Sequence, residues 1–306
     1  MDKRLTRTDY LFALMFIFML VCILGAFFYG LRIGQEKSDQ KYEKILHADQ
    51  ETVQEPGAYD QQLLVSFYHT IYLPFREFQN KWFELTNQIE FQSSTLDASA
   101  ALNEAAKLAD EKYQLLQGKT MPASSPLLQQ AHQGFLKSMK LFADTLKNFK
   151  PRANSIPGNE LIDAMAEDAF LIEAKKQALI AQKDYYDSII KWQQSVDVSF
   201  KPFDTSKEAT IDEWRQMNLN MKNLYVSVLL SDNQTFVPYY PQDATIRIDD
   251  FIGTGQASKL AATTVKQTFE LLKSTDAVRP GDFVKGKHKR YSNELLPQLP
   301  FFLDAN

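Results

Sequence analysis

The chain has 306 residues, with 34 Lys and Arg against 38 Asp and Glu and a net charge of −4. That balance excludes the strongly basic domain that bulk nucleic-acid binding requires, and no nucleic-acid partner is expected. Charged residues at 24% and aromatic residues at 12% describe a chain that folds around a core and exclude a disordered one.

Residues 1–9 form a basic tail holding Lys3, Arg4 and Arg7, and residues 10–31 form the one segment predicted to cross a membrane. From Leu11 to Tyr29 no residue is charged. About 20 such residues, at about 1.5 Å each, cover the ~30 Å hydrocarbon core. A cleaved signal peptide needs a shorter apolar run and a small-x-small site. Here Gly25-Ala26-Phe27-Phe28-Tyr29-Gly30 puts aromatics where small residues belong. A lipoprotein signal at Cys22 wants a small residue before the cysteine, and Val21 stands there. The anchor is therefore expected to be retained.

Lys/Arg counts flanking the span do not decide its orientation, because Arg32, Lys37, Lys41 and Lys44 follow it. Long domains translocate largely regardless of charge, whereas a short basic tail stays in the cytoplasm. The expectation is a single-pass cell-membrane protein with its N-terminus inside and its C-terminal domain outside. A cytoplasmic domain is the alternative. Cys22, Ala26, Gly30 and Gly34 recur every four residues and form a stripe of small side chains. Such a stripe lets two membrane helices approach closely, which makes a homodimer one expected partnership. The plainer reading is that Gly and Ala are common in membrane helices.

Residues 32–57 read as a polar stalk ending in Glu55-Pro56-Gly57. Residues 58–198 read as an antiparallel helical bundle. Leu64, Phe67, Ile71, Phe75, Phe78, Trp82, Leu85 and Ile89 are spaced by threes and fours, which lays them on one helical face. Pro74 lacks a donor and clashes with the carbonyl four residues back, so a kink is predicted near Thr70. An Ala-rich helix follows from Thr95 to Gln117 and stops at Gly118. Ser125-Pro126 supplies the cap and first-turn proline of the next, which runs to Pro151. A single long helix is then predicted from Glu160 to Val196. Four amphipathic helices with short connections make an antiparallel bundle the natural packing.

Residues 199–306 read as a smaller, partly irregular C-terminal helical part. Ile211 to Leu230 has helical spacing. Phe236 to Asp250, with Pro238, Pro241 and the alternating Thr245-Ile246-Arg247-Ile248, reads as non-helical. A last helix is placed from Gln256 to Lys273, and Ser274 onward reads as irregular. The fold class expected is thus all-α, behind one transmembrane helix.

Sites are sparse. No cysteine follows Cys22, which removes disulfides, a thiol nucleophile and cysteine-based zinc from the expected domain. His47, His69, His132 and His288 lie far apart, none in a Glu-x-x-His or helical metal-site spacing. Glu160, Asp163, Glu167 and Asp168 read as helix-dipole partners rather than a cation site. No nucleophile elbow or phosphate loop is present, and Gly253-Thr254-Gly255 reads as a turn before a helix. No cofactor or metal is expected. The basic run Lys285, Lys287, His288, Lys289 and Arg290 reads either as a solvated loop or as a contact for an anionic envelope polymer or lipid. The loop Phe236, Pro238, Tyr239 and Tyr240 reads either as a protein-contact surface or as a cap on the bundle.

The expectation for function is a membrane-anchored helical binding or scaffolding module, extracytoplasmic on a bacterial cell and without catalysis of its own. A ligand-sensing ectodomain acting through a partner or dimer is the alternative, and a cell-envelope hydrolase the remoter one. A ligand-sized cavity between helices near the Pro74 kink is the feature that favours the sensing alternative.

Overall fold

A computed structural model describes residues 57–91 and 96–303, all within one compact unit. Those residues form an all-α bundle. The predicted anchor at 10–31 and its stripe Cys22, Ala26, Gly30 and Gly34 lie outside the described residues, as does His47. Among the described residues no helix is long and apolar enough to cross a membrane.

The first helix is one rod in three parts: α1 (Gln61–Phe67), a π-helical turn (Tyr68–Tyr72) and α2 (Leu73–Phe91). Asp60 starts it, accepting the Leu63 N–H at 2.6 Å. The widened turn is where a bend is expected from Pro74. In a regular α-helix the proline ring meets the carbonyl of Thr70. Here the Leu73 N–H reaches back to the Tyr68 carbonyl instead, and the backbone is eased aside. The predicted stripe from Leu64 to Ile89 is wholly buried.

Helix α3 (Ala98–Gln117) is capped by Asp97 and stops at Gly118, and α4 (Pro126–Phe149) opens on its first-turn proline. Ser125 does not cap α4 with its hydroxyl; it donates to the Ala58 carbonyl and ties the entry of α1 to the start of α4. Beyond a 3-10 turn at Lys150–Arg152, the single long helix expected from Glu160 is two helices, α5 (Gly158–Ala166) and α6 (Ala169–Val196). The break falls at Glu167-Asp168 because Asp168 caps α6, accepting the Leu171 N–H at 2.8 Å. Helices α2, α3, α4 and α6 pack as chain neighbours, the arrangement that short connections impose. At their tightest point a Cβ on Gly134 would sit 2.9 Å from the Cβ of Ala181.

The C-terminal part departs further from expectation. Ile211 to Leu230 splits into α7 (Ile211–Gln216) and α8 (Leu219–Asp232), since Asn218 caps a new helix on the Met221 N–H. The stretch read as non-helical contains α9 (Pro241–Gly253). Its prolines and the four-residue alternation suggest extended chain, but Thr245, Ile246 and Ile248 are all buried in the helix while Arg247 and Asp250 form its half-exposed face. A short α10 (Gln256–Lys259), α11 (Val265–Ser274) and α12 (Asp282–Arg290) follow, the last within the region expected to be irregular.

Two apolar clusters fill the interior. The larger belongs to the bundle yet includes Ile246, Phe283, Tyr291, Leu299, Phe301 and Phe302, while the smaller, around Trp214, Val226, Leu230 and Phe269, includes Leu179 of α6. The core is thus shared across the boundary expected at residue 198.

Candidate binding cavity

Beside the π-turn lies a half-open cavity of about 280 Å³ between α1–α2, the loop before α9 and the start of α12. Its apolar walls are Tyr68, Tyr240, Phe283 and Phe301, with Pro238, Pro280 and Pro300 at its edges and Val284 half exposed beside them. Its polar groups are Arg76, Asn80, Gln242 and Asp243.

The π-turn accounts for two of these walls. Positions eight apart on an uninterrupted α-helix point about 80° away from each other, at about 100° per residue. Absorbing one residue in a wide turn reduces that to about 20°. Tyr68 and Arg76, on either side of Pro74, accordingly line the same cavity.

Arg76 is 3% exposed. Its Nη1 donates to Gln79 Oε1 at 2.8 Å and to the Tyr239 carbonyl at 3.5 Å, and its Nη2 to the Pro238 carbonyl at 2.8 Å. The guanidinium carbon lies 3.9 Å from the centre of the Tyr240 ring, in cation–π contact. Gln79 donates to the Val237 carbonyl at 2.8 Å. Arg76 and Gln79 therefore hold three successive carbonyls of the loop before α9.

That loop contains the residues expected to form a partner contact. Tyr239 is buried, Phe236 stacks on Phe83 at 5.4 Å, and Tyr240 stacks on Phe301 at 5.8 Å. Burial pushes the Tyr239 hydroxyl up to about 12. The loop spends its aromatics on the bundle and on the cavity wall.

Asp243 closes the cavity floor. Its carboxylate accepts the Tyr240 N–H at 3.0 Å and the Phe283 N–H at 2.9 Å, joining the starts of α9 and α12. Burial raises its carboxyl above the ordinary aspartate range, while those backbone N–H groups and Arg76 pull the other way. Behind the wall, Tyr72 donates to Gln182 at 3.0 Å and Tyr186 to Gln242 at 2.5 Å. Burial raises the hydroxyls of Tyr68, Tyr72, Tyr185 and Tyr186, so at neutral pH they are donors and not bases. The described lining residues include no Ser, Cys, Lys or His.

The other residues singled out in the sequence lie elsewhere. The basic run is one helix, α12, and it divides. Lys287 is buried and donates to the Phe302 carbonyl at 2.9 Å, and Arg290 pairs with Asp250 at 2.6 Å, while Lys285, His288 and Lys289 are exposed. His132 is buried with Nε2 2.8 Å from the Leu116 carbonyl, which only accepts, so that nitrogen carries the proton. His69 stands edge-on to Tyr68 at 5.2 Å. Of the acidic group, Glu160, Asp163 and Glu167 are exposed and Asp168 is the cap of α6. Gly253 ends α9 and Gly255 takes a left-handed φ of 73° before α10, a turn as expected. Among the described residues no three His, Cys, Asp or Glu side chains gather as metal ligands.

Arg76 and Gln79 were the residues sequence reasoning passed over. With Tyr72 they form a second, polar-bearing stripe at positions 72, 76 and 79 beside the apolar one, a helical spacing that places them toward the core. No family model matches the chain, and comparison with curated proteins and with solved structures gives no match, so its function must be argued from this cavity.

Proposed function

We propose that this protein is a membrane-tethered, non-catalytic binding module whose helical domain takes a small ligand in the cavity beside the π-turn. The observation that carries the reading is the cavity itself: about 280 Å³, walled by aromatic rings, with the buried Arg76 among its few polar groups. Small-molecule sites have that composition, and the volume sits at the small end of their range. Ligand binding is favoured over a protein contact through the loop before α9 because Phe236 and Tyr239 of that loop are packed against the bundle.

The tether rests on the uncharged run Leu11–Tyr29, and the short basic tail before it supports an N-terminus inside with the domain outside. A fragment library screened by thermal shift against the full-length chain tests the binding reading. Fragments are expected to raise the midpoint of the wild-type protein and not of Val284→Trp, which fills the cavity mouth from a half-exposed position. Fragments that stabilise both proteins equally, or none at all, refute it.

A further inference from the structure

We infer that the cavity selects a small monoanionic carboxylate with a flat apolar body, seated with its carboxylate toward Arg76 and its ring among Tyr68, Tyr240, Phe283 and Phe301. This rests on the binding reading above and adds the chemical class of the ligand.

The first argument is charge. A buried cation is ordinarily matched by a carboxylate, because desolvation is otherwise uncompensated. Arg76 has only neutral acceptors: one side-chain amide oxygen and two backbone carbonyls. Its three hydrogen bonds leave two of the five guanidinium donors uncommitted. One of these is Nε, which is buried and without a partner. The nearby carboxylate, Asp243, shares Arg76's field but does not bond to it, its oxygens accepting the backbone N–H groups of Tyr240 and Phe283. A planar carboxylate is the group whose geometry matches a guanidinium with two donors uncommitted.

The second argument sets the body and the net charge of the ligand. The walls are aromatic faces and prolines, which favour a flat apolar group. A phosphate-like dianion is disfavoured, because Arg76 is the one cation among the described lining residues and Asp243 lies beside it. A free inorganic anion would leave the aromatic walls unused.

The test is calorimetric titration of the full-length chain, in nanodiscs of zwitterionic lipid, with phenylacetate, its neutral counterpart 2-phenylethanol, and acetate. Phenylacetate is expected to bind at least about tenfold more tightly than either, a preference of about 1.4 kcal/mol. Arg76→Gln is expected to remove the preference for phenylacetate over 2-phenylethanol. Since that variant also loses hydrogen bonds to the loop, Val284→Trp serves as the second one. It leaves Arg76 in place and is expected to abolish binding of both aromatic compounds. Equal binding of phenylacetate and 2-phenylethanol to the wild type, blocked by Val284→Trp, overturns the carboxylate inference and leaves the binding reading standing. Binding of neither, or phenylacetate binding that survives Val284→Trp, overturns both.

Discussion

The Asp243 carboxylate accepts the backbone N–H of Phe283 at 2.9 Å, so a side chain in the first turn of α9 serves the first turn of α12, forty residues later. Through its other oxygen it accepts the Tyr240 N–H at the start of its own helix. One carboxylate thereby satisfies donors at two helix starts and sets the spacing of Tyr240 and Phe283, two walls of the cavity.

This group gives the protein a pH dependence of known sign. Burial raises the Asp243 carboxyl, so the folded chain keeps that proton to higher pH than the unfolded chain does. The stability it contributes is present below the unfolded value and is lost as pH rises through the folded one. Asp184 and Asp187 of α6 are raised by burial too, so only a difference against Asp243→Asn isolates the site. The thermal midpoint of the wild type is expected to gain on that of the variant as pH falls from 7 toward the ordinary aspartate range. A gap that stays constant across the titration contradicts this.

A second carboxylate holds the C-terminal helices together. Asp249 accepts the Trp214 indole N–H at 2.7 Å, Lys222 at 2.9 and 3.0 Å, and the Tyr291 hydroxyl. The Lys222 and Asp249 side chains are 11% and 10% exposed, so the pair is nearly dry. Asp249→Ala strands the ammonium and is expected to cost about 3–5 kcal/mol in urea unfolding. Asp249→Leu with Lys222→Met removes both charges and is expected to recover at least about 1 kcal/mol of that loss. A double variant no more stable than Asp249→Ala would show that the charge itself is not what the site must neutralise.

The close contact between α4 and α6 is also testable. With no side chain at Gly134, α4 and α6 meet over Ala181, and Gly134→Ala introduces a methyl 2.9 Å from the Ala181 Cβ. Overpacking of this kind costs about 1–3 kcal/mol. Ala181→Gly alone costs about 1 kcal/mol through helix propensity. In the double variant the two changes are expected to be less than additive, since the second removes the obstacle to the first. Strict additivity in a double-mutant cycle would place the strain elsewhere.

Much of the bundle is legible in the sequence because each helix has one wet and one dry face. The stripe from Leu64 to Ile89 is buried as its spacing predicts, and Leu128, Phe135, Phe142 and Phe149 of α4 are buried in the same way. An irregularity near Pro74 follows from its missing donor, although the sequence does not say that it would take the form of a π-turn. The helix break at Asp168 is written as a cap, but a cap inside a continuous apolar period is easily passed over. Helix α9 is disguised by its polar residues: Gln242, Asp243 and Thr245 are as enclosed as Ile246 and Ile248, and Arg247 and Asp250 mark its half-exposed face. Its start was available all the same, in Pro241 at the first position and Asp243 at the third. Capping boxes at Thr210 with Glu213 and at Thr264 with Gln267 likewise mark the starts of α7 and α11. The cavity was not legible beyond its position near Pro74. Its cation, its floor and its walls come from residues 68 to 301 and meet only through tertiary packing.

The central claim is that small molecules bind between the π-turn, the loop before α9 and the start of α12. Amide hydrogen exchange of the full-length chain, with and without the fragment that most raises its thermal midpoint, tests it most directly. Added protection is expected in Tyr68–Tyr72, in 237–243 and in 281–284, with α3 and the α4–α6 contact unchanged. Protection confined to other surfaces, or none in these three segments at a saturating fragment concentration, would contradict the account.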